Sequence, residues 1–494
     1  MKSINKWILG IAAFSVLGTG SSMAQSGYYQ DALRFSQFNS TGSARVMGLS
    51  GTQFSLGGDI SNIHGNAAGL GFFRRSEFSL SPSYGGWNTD SYLNNASEFG
   101  NIPTTNFALP NLSLVIANPR DPLTPGSFKG GAFGVSINRT ANFNSEFAFR
   151  NVTPTSLTDY FAADAFGAQG AVLDQENSLT GLGFSTALIA PTSPGGTEYV
   201  STNSSDPLMY EEVITEGGVT QVTFAYGANF ENKLFLGGSL GVSSISYSQF
   251  KLFTEDFNPQ FGDLVGYDLR ENLFINGTGV NLNLGAIYKP VDELNLGLNF
   301  QSPTWYRLNE EYDANIISEF ANPTETFDAR TDILLGTYNL RTPMKFNAGA
   351  TYFVGKNGFI SADIDYVDYS TMFLNSRDFN PQLDNQAIQQ TYGQTFNFRG
   401  GGEFRYEMFR VRAGYAYYGD PFDDPNSQRH QSVISGGIGV RLPKFYVDLG
   451  INHTQFDQTY RSYSLIDAAG RELGPVADIR NTITQGILTL GFNF

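Results

Sequence analysis

The sequence contains no cysteine. That excludes disulfides, thiolate metal sites and a cysteine nucleophile. Histidine is scarce: His64, His430 and His453 lie far apart and lack metal-ligand spacing. Charged residues make up only 15%, against a usual figure of about 25%. Basic residues are outnumbered by acidic ones, and the net charge of -16 argues against nucleic acid as a partner. Beyond the first residues, no apolar run approaches the roughly 20 residues of a membrane helix. The glycines at Gly65 and Gly277–Gly279 are not followed by Lys-Ser/Thr, so neither forms a phosphate loop. His430 has Asp420, Asp423 and Asp424 nearby in the chain, but this acidic stretch reads as a solvated loop. No cofactor, no metal and no enzymatic chemistry are expected.

The first residues carry the pattern expected of a leader. Lys2 and Lys6 precede an apolar run from Trp7 to Leu17, then Ser22-Met23-Ala24. This charged region, short apolar region and small-residue site predict export with cleavage near Ala24. Aromatics reach 14%, with 42 Phe and 25 Tyr, and there are 55 Gly, yet mean hydropathy is only -0.20. Many aromatics without a long apolar run fit strands with one apolar face.

Such strands are visible. Val280, Leu282, Leu284, Ala286 and Tyr288 share one face against Asn281, Asn283 and Gly285. Leu294–Phe300, Met344–Tyr352, Ile360–Tyr366, Val411–Tyr417 and Phe445–Ile451 alternate in the same way. About fourteen segments of this kind are expected, the first beginning at Ser76 and the last ending at Phe494. Short connections alternate with long ones, the latter placed at 141–218, 250–277, 303–341, 371–393, 420–431 and 465–480. This asymmetry predicts an all-β transmembrane antiparallel barrel. Residues 1–24 are read as a signal peptide, 25–75 as an N-terminal plug in the lumen and 76–494 as the wall. The plug reading rests on a compact Gly-, Ala- and Ser-rich stretch from Ser43 that runs straight into the first strand.

Apolar faces would meet lipid, and polar faces would line the lumen with the charges Lys345, Asp363, Asp365, Arg399, Glu403, Arg405, Arg410, Arg412 and Asp448 and with Asn281, Asn295 and Asn347. A charged, plugged lumen is a poor axial route for a greasy solute. Such a cargo would need a pocket at the plug and an exit through the wall. Gly130, Gly131 and Gly134 on the third strand are candidates for a wall kink. The final strand places Leu488, Leu490, Phe492 and Phe494 on one face, a pattern similar to the signal read by the outer-membrane assembly machinery.

These pieces resemble the FadL/TodX family of outer-membrane transport proteins. The likeness rests on Gly48–Gly51, Gly57-Gly58-Asp59 and the motif Gly65-Asn66-Ala67-Ala68-Gly69-Leu70, with Phe494 at the end. The family carries Pro where Ala67 stands. The resemblance implies a fourteen-stranded barrel with an N-terminal hatch that takes up long-chain fatty acids or other hydrophobic small molecules. It implies capture between outer loops, here Phe253, Phe257, Phe261, Trp305, Phe320 and Phe327, then a hatch-gated pocket and lateral exit. The expected partners are outer-membrane lipid, a hydrophobic ligand and the assembly machinery. A non-transport barrel serving as a docking or secretion partner is the alternative.

Overall fold

The computed structural model describes residues 27–37, 41–94, 101–121, 123–203, 205–425, 427, 429–467 and 469–494. The expected signal peptide, residues 1–24, lies outside the described residues. Fourteen wall strands close into a barrel. They are β1 Glu77–Leu93, β2 Asn101–Pro119, β3 Phe128–Asn142, β4 Leu208–Phe230, β5 Leu234–Asp256, β6 Leu264–Val291 and β7 Leu294–Gln301. Next come β8 Lys345–Phe353, β9 Gly358–Asp368, β10 Gln394–Tyr406, β11 Phe409–Tyr418, β12 Gln431–Arg441, β13 Phe445–Arg461 and β14 Val476–Asn493. Each pairs antiparallel with the next, and β14 pairs with β1 from Glu77↔Asn493 to Leu93↔Ala477, so the sheet closes on itself.

An outward apolar belt girdles the short-turn half. Leu282, Leu284, Leu296, Leu298, Ile360 and Ile451 are all exposed there. Along β7 and the strand that resumes after it, the belt runs from Leu296 to Trp305. About nine steps of roughly 3.3 Å, tilted by about 40°, give a band about 23 Å tall, close to the ~25 Å of a bilayer-spanning barrel. Tyr288, Tyr352 and Phe445 mark its edge at the short turns.

Above the belt the wall does not dissolve into loops. The expected long connections 250–277 and 303–341 are mostly strand. β5 continues to Asp256 and β6 begins at Leu264. β7 resumes as Trp305–Ala321, which pairs with β6 along its length, and turns back through Thr324–Arg330 and Leu334–Arg341. The physical reason is a reversal of faces. In the belt Val280, Leu282 and Leu284 of β6 point outward, whereas higher up Leu269, Leu273 and Ile275 point inward and are buried. Outside the bilayer the outer face meets water and the inner face meets a packed core. The expected loop 465–480 is likewise shorter, since β14 starts at Val476. The segment 141–218 carries a strand Ser145–Val152 paired with β4 and the helices Leu157–Asp164, Gly170–Leu173 and Leu179–Ser185.

One ladder is incomplete. β2 pairs with β3 only from Asn111↔Asn138 to Pro119↔Gly130. Above that, residues 101–108 of β2 pair with β1 alone, and Arg139–Asn142 of β3 pair with β4 alone. Pro110, which has no N–H to donate, stands at the point where pairing stops.

Candidate functional site

The stretch from Ser43 to Phe73 winds around the inside of the belt as three short helical turns, each started by a polar cap. Ser43 accepts from the Val46 N–H, Asp59 caps Ile60–Ile63 in a capping box with Asn62, and Asn66 caps Ala67–Phe72. The Asn66 amide also donates to the carbonyls of Phe54 (2.7 Å), Leu298 (3.2 Å) and Ala286 (3.4 Å), the last two on the wall. Lumen-facing wall glycines let this segment lie against the strands. A Cβ at Gly227 would stand 2.3 Å from the Ala67 carbonyl oxygen, and one at Gly297 2.1 Å from that of Phe54. Ile60, Ile63, Ala67 and Leu70 fill an apolar seat on β2–β4 formed by Val115, Ala132 and Ala225.

On the opposite side the segment is tied by charge. Arg45 pairs with Glu403 (3.2 Å) and Asp59 (3.5 Å), Glu403 with Arg412 (2.7 Å), and Arg412 with Asp448 (2.8 Å). All are buried. Of the expected lumen charges, Glu403, Arg412 and Asp448 join one network around Arg45, a residue that the sequence pattern does not single out; Arg405 reaches Glu403 from its edge, Arg399 pairs separately with Asp365, and Arg410 bonds instead to the turn carbonyls of Glu407 and Phe409.

A second stopper closes the lumen toward the long-loop end. The helix Tyr28–Arg34 sits inside the upper barrel, where Tyr28 stacks on Phe379 at 4.1 Å and donates to Glu310 at 3.2 Å. Asp31 pairs with Arg34 and accepts from Tyr338, and Phe35 is buried against Phe143 and Tyr247. Burial, and then the nearby Asp31 charge, push the Glu310 carboxyl up to about 7.

Between the two stoppers lies a chamber of about 610 Å³. Met47 and Ser50 line its floor and Gln30 and Arg34 its roof. Among the described residues its charged lining is Arg34, Arg139, Lys345, Arg399 and Arg429 against the carboxylate Asp365, in a chain of net charge -16. Its side wall includes Thr104, Asn106, Ala108 and Pro110 of β2 and Arg139–Asn142 of β3, the two edges of the unpaired seam. Phe107 and Leu109, outward neighbours on β2, are exposed at the level of the apolar belt.

The residues singled out from sequence are distributed differently. Gly65–Leu70 form the turn just described. Gly134 faces the lumen, where Ile63 and Leu70 occupy the space of its missing side chain. Gly130, with φ +114°, sits at a bulge in the β3–β4 ladder, and both ladders are paired through Gly130, Gly131 and Gly134. The six aromatics do not gather, and none lines the chamber. Phe253 and Phe257 are buried around Tyr267, with Phe253 on strand β5 rather than in a loop. Phe320 and Phe327 pack edge to face at 5.7 Å near a hairpin end, Phe261 is exposed at a turn, and Trp305 faces outward at the belt's upper edge. Phe494 exchanges main-chain bonds with Ser76, and Phe492 is exposed on the belt. Pro103 and Pro110, neither with an N–H to donate, are the sequence signals of the seam.

The histidines are dispersed: His64 bonds to the Thr41 carbonyl, His430 stacks on Tyr417, and His453 contacts Thr484. Asp420 holds its own loop through Phe422, Ser427 and Arg429. Among the described residues no cluster of acidic residues and histidines is arranged to hold a metal ion.

No family model and no curated protein matches the sequence. Solved structures do match. A Pseudomonas aeruginosa FadL homologue is 14% identical with TM-score 0.55, covering 92% of this chain and 99% of its own. The Pseudomonas putida toluene transporter TodX is 14% identical at TM-score 0.53, covering 92% and 99%. The Ralstonia pickettii toluene transporter TbuX is 14% identical at TM-score 0.52, covering 93% and 99%. This chain shares the fold of the FadL and TodX transport proteins.

Proposed function

We propose that the protein is an outer-membrane transporter for hydrophobic small molecules, exported with its leader removed near Ala24. The observation that carries this reading is the chamber, stoppered on the barrel axis at both ends and bordered by an unpaired seam at belt height. A solute inside has no clear axial path, while the seam abuts the hydrocarbon. In this reading ligand enters from the long-loop side past the Tyr28–Arg34 helix and rests above the Ser43–Phe73 hatch. It then leaves sideways between β2 and β3. The bulge at Gly130 gives β3 a flexible foot for that opening.

The lining narrows the cargo. Arg34 is paired with Asp31 and Arg399 with Asp365, yet cations still outnumber carboxylates along the described lining, and a neutral hydrocarbon offers these cations nothing. An amphiphile with an anionic head, such as a long-chain carboxylate, satisfies them through charge-assisted hydrogen bonds. We therefore favour long-chain fatty acids over monoaromatic hydrocarbons.

The docking reading has its own support: the Arg45–Glu403–Arg412–Asp448 network ties the hatch firmly, and the wall is fully paired at Gly130–Gly134. One experiment separates the two. Uptake of a labelled long-chain fatty acid is measured in cells that depend on this barrel, with wild type and with Ala108→Trp, which fills the seam edge. Transport through the seam requires a large loss of uptake in a barrel that still resists unfolding in detergent. No uptake by wild type, with a copurifying protein partner, would move the assignment to docking.

A further inference from the structure

The outer surface just above the belt is uneven in charge. On the strands resuming after β7 and before β8, and on the short strand Phe373–Ser376, three rows face outward. The first row is Trp305, Arg341 and Phe373, aligned by the pairings Trp305↔Arg341 and Arg341↔Phe373. The second is Arg307, Asn339 and Asn375. Thr337 follows in the third, with Arg377 beside it immediately after Ser376. Arg307, Asn339, Asn375 and Arg377 are exposed, and with Thr337, Ser376 and the carboxylate Asp378 they line a surface groove of about 410 Å³, with Arg341 in the adjoining row outside its lining.

None of the three arginines has an ion-pair partner among the described residues. Arg341 donates to the Thr371 carbonyl and lies over the Phe373 ring at 5.5 Å. The carboxylates nearby are Asp378, which accepts from the Thr337 N–H at 2.8 Å, and Glu311, opposite Leu335 one row higher. Three unpaired guanidinium groups on one small patch are costly in self-repulsion, and the rest of the chain is strongly acidic. The patch also begins at the row where Trp305 and Phe373 end the apolar belt, the height at which lipid headgroups lie.

We propose that this groove binds the phosphate groups of an outer-leaflet lipid. Guanidinium forks match phosphate oxygens bidentately, Asn339, Asn375 and Thr337 add neutral hydrogen bonds, and Trp305 and Phe373 hold the adjoining acyl chains. The bound lipid then forms a fixed collar on the β7–β9 side of the barrel. This assignment rests on the proposed outer-membrane location, with the long-loop end facing outward.

The test uses the full-length mature barrel in detergent and native mass spectrometry. Bisphosphorylated lipid A is offered against the same lipid stripped of phosphate, for wild type and for the triple variant Arg307→Gln, Arg341→Gln, Arg377→Gln. Retention of the phosphorylated lipid by wild type and an at least about tenfold loss in the variant is expected, the scale of one charge-assisted phosphate contact. Folding of the variant is checked by its resistance to unfolding in unheated gels. Equal retention of the two lipids, or equal retention by the two proteins, would overturn the proposal. So would complete displacement by millimolar inorganic phosphate, which would mark a general anion site. If the barrel fractionates with the outer membrane and transports while lipid A is not retained, the collar alone fails. If it does not fractionate there, the underlying location fails.

Discussion

Asn66 is the residue on which the hatch turn can be tested most sharply. Its oxygen caps Ala67–Phe72 through the Ala68 N–H at 3.1 Å, and its amide nitrogen reaches three carbonyls, two of them on the wall. The side chain is fully buried. Replacing it by Ala removes the cap, worth about 1 kcal/mol. It also leaves buried carbonyls short of a donor, at about 1–3 kcal/mol. The turn should thus lose about 2–4 kcal/mol of seating, which is roughly 30-fold to several hundredfold in its opening equilibrium. The wall supplies a mirror test. A Cβ on Gly285 would fall 1.8 Å from the Asn66 side-chain oxygen, so Gly285→Ala must displace the same group from the opposite side. Hydrogen exchange of the Ala67–Phe72 amides in the intact barrel reads the opening directly. Asn66→Ala and Gly285→Ala should each raise exchange by that factor, and the double variant should add little, because both remove one interaction. Unchanged exchange in Asn66→Ala, or full additivity in the double variant, would refute the idea that this amide seats the turn.

The upper stopper should respond to pH. Glu310 is held near 7 by burial among Tyr28, Asp31, Arg34 and Tyr338, and regains an ordinary carboxyl value once the helix leaves. Its raised value makes docking strongest in acid and progressively weaker as pH climbs from about 4.5 through about 7. Protease cutting within residues 28–37 should rise over that window, and Glu310→Gln should flatten the response; a flat wild-type profile would count against it. Glu403→Gln strands Arg45 and Arg412 without their shared carboxylate and should cost about 3–5 kcal/mol, read as a lower urea midpoint for the barrel. Trp305 should be quenched by brominated lipid and not by aqueous iodide, and Trp305→Phe should leave fatty-acid uptake unchanged.

The wall could be read from sequence because a bilayer imposes the same rule on every strand: apolar outside, polar inside, period two. Val280, Leu282 and Leu284 obey it, as do Leu296 and Leu298, and the segment count follows. Where the surroundings change, the signal changes sign. In β6 the apolar residues shift from even positions to odd ones across Gly277–Gly279, and in β5 from Val242 to Ile245 and Tyr247. A strand crossing from lipid to water thereby looks like a strand ending in a loop, and the outer aromatics looked like loop residues. Phe253 belongs to the packed core of that extension, and Trp305 to the membrane edge.

The sequence by itself determined that the chain crosses with strands, that a Gly- and Ala-rich segment precedes them, and which wall faces meet lipid. Those properties are local, written in alternation and composition. Only the tertiary structure decided where the chamber lies, because it is assembled from segments hundreds of residues apart: Arg34 of the inner helix lines one cavity with Arg139, Lys345 and Arg399 of the wall only because the barrel closes around that helix. The seam, too, depends on which strand stands beside Pro110. A proline can mark where a ladder must break, but the partner it fails to hold is fixed by the fold.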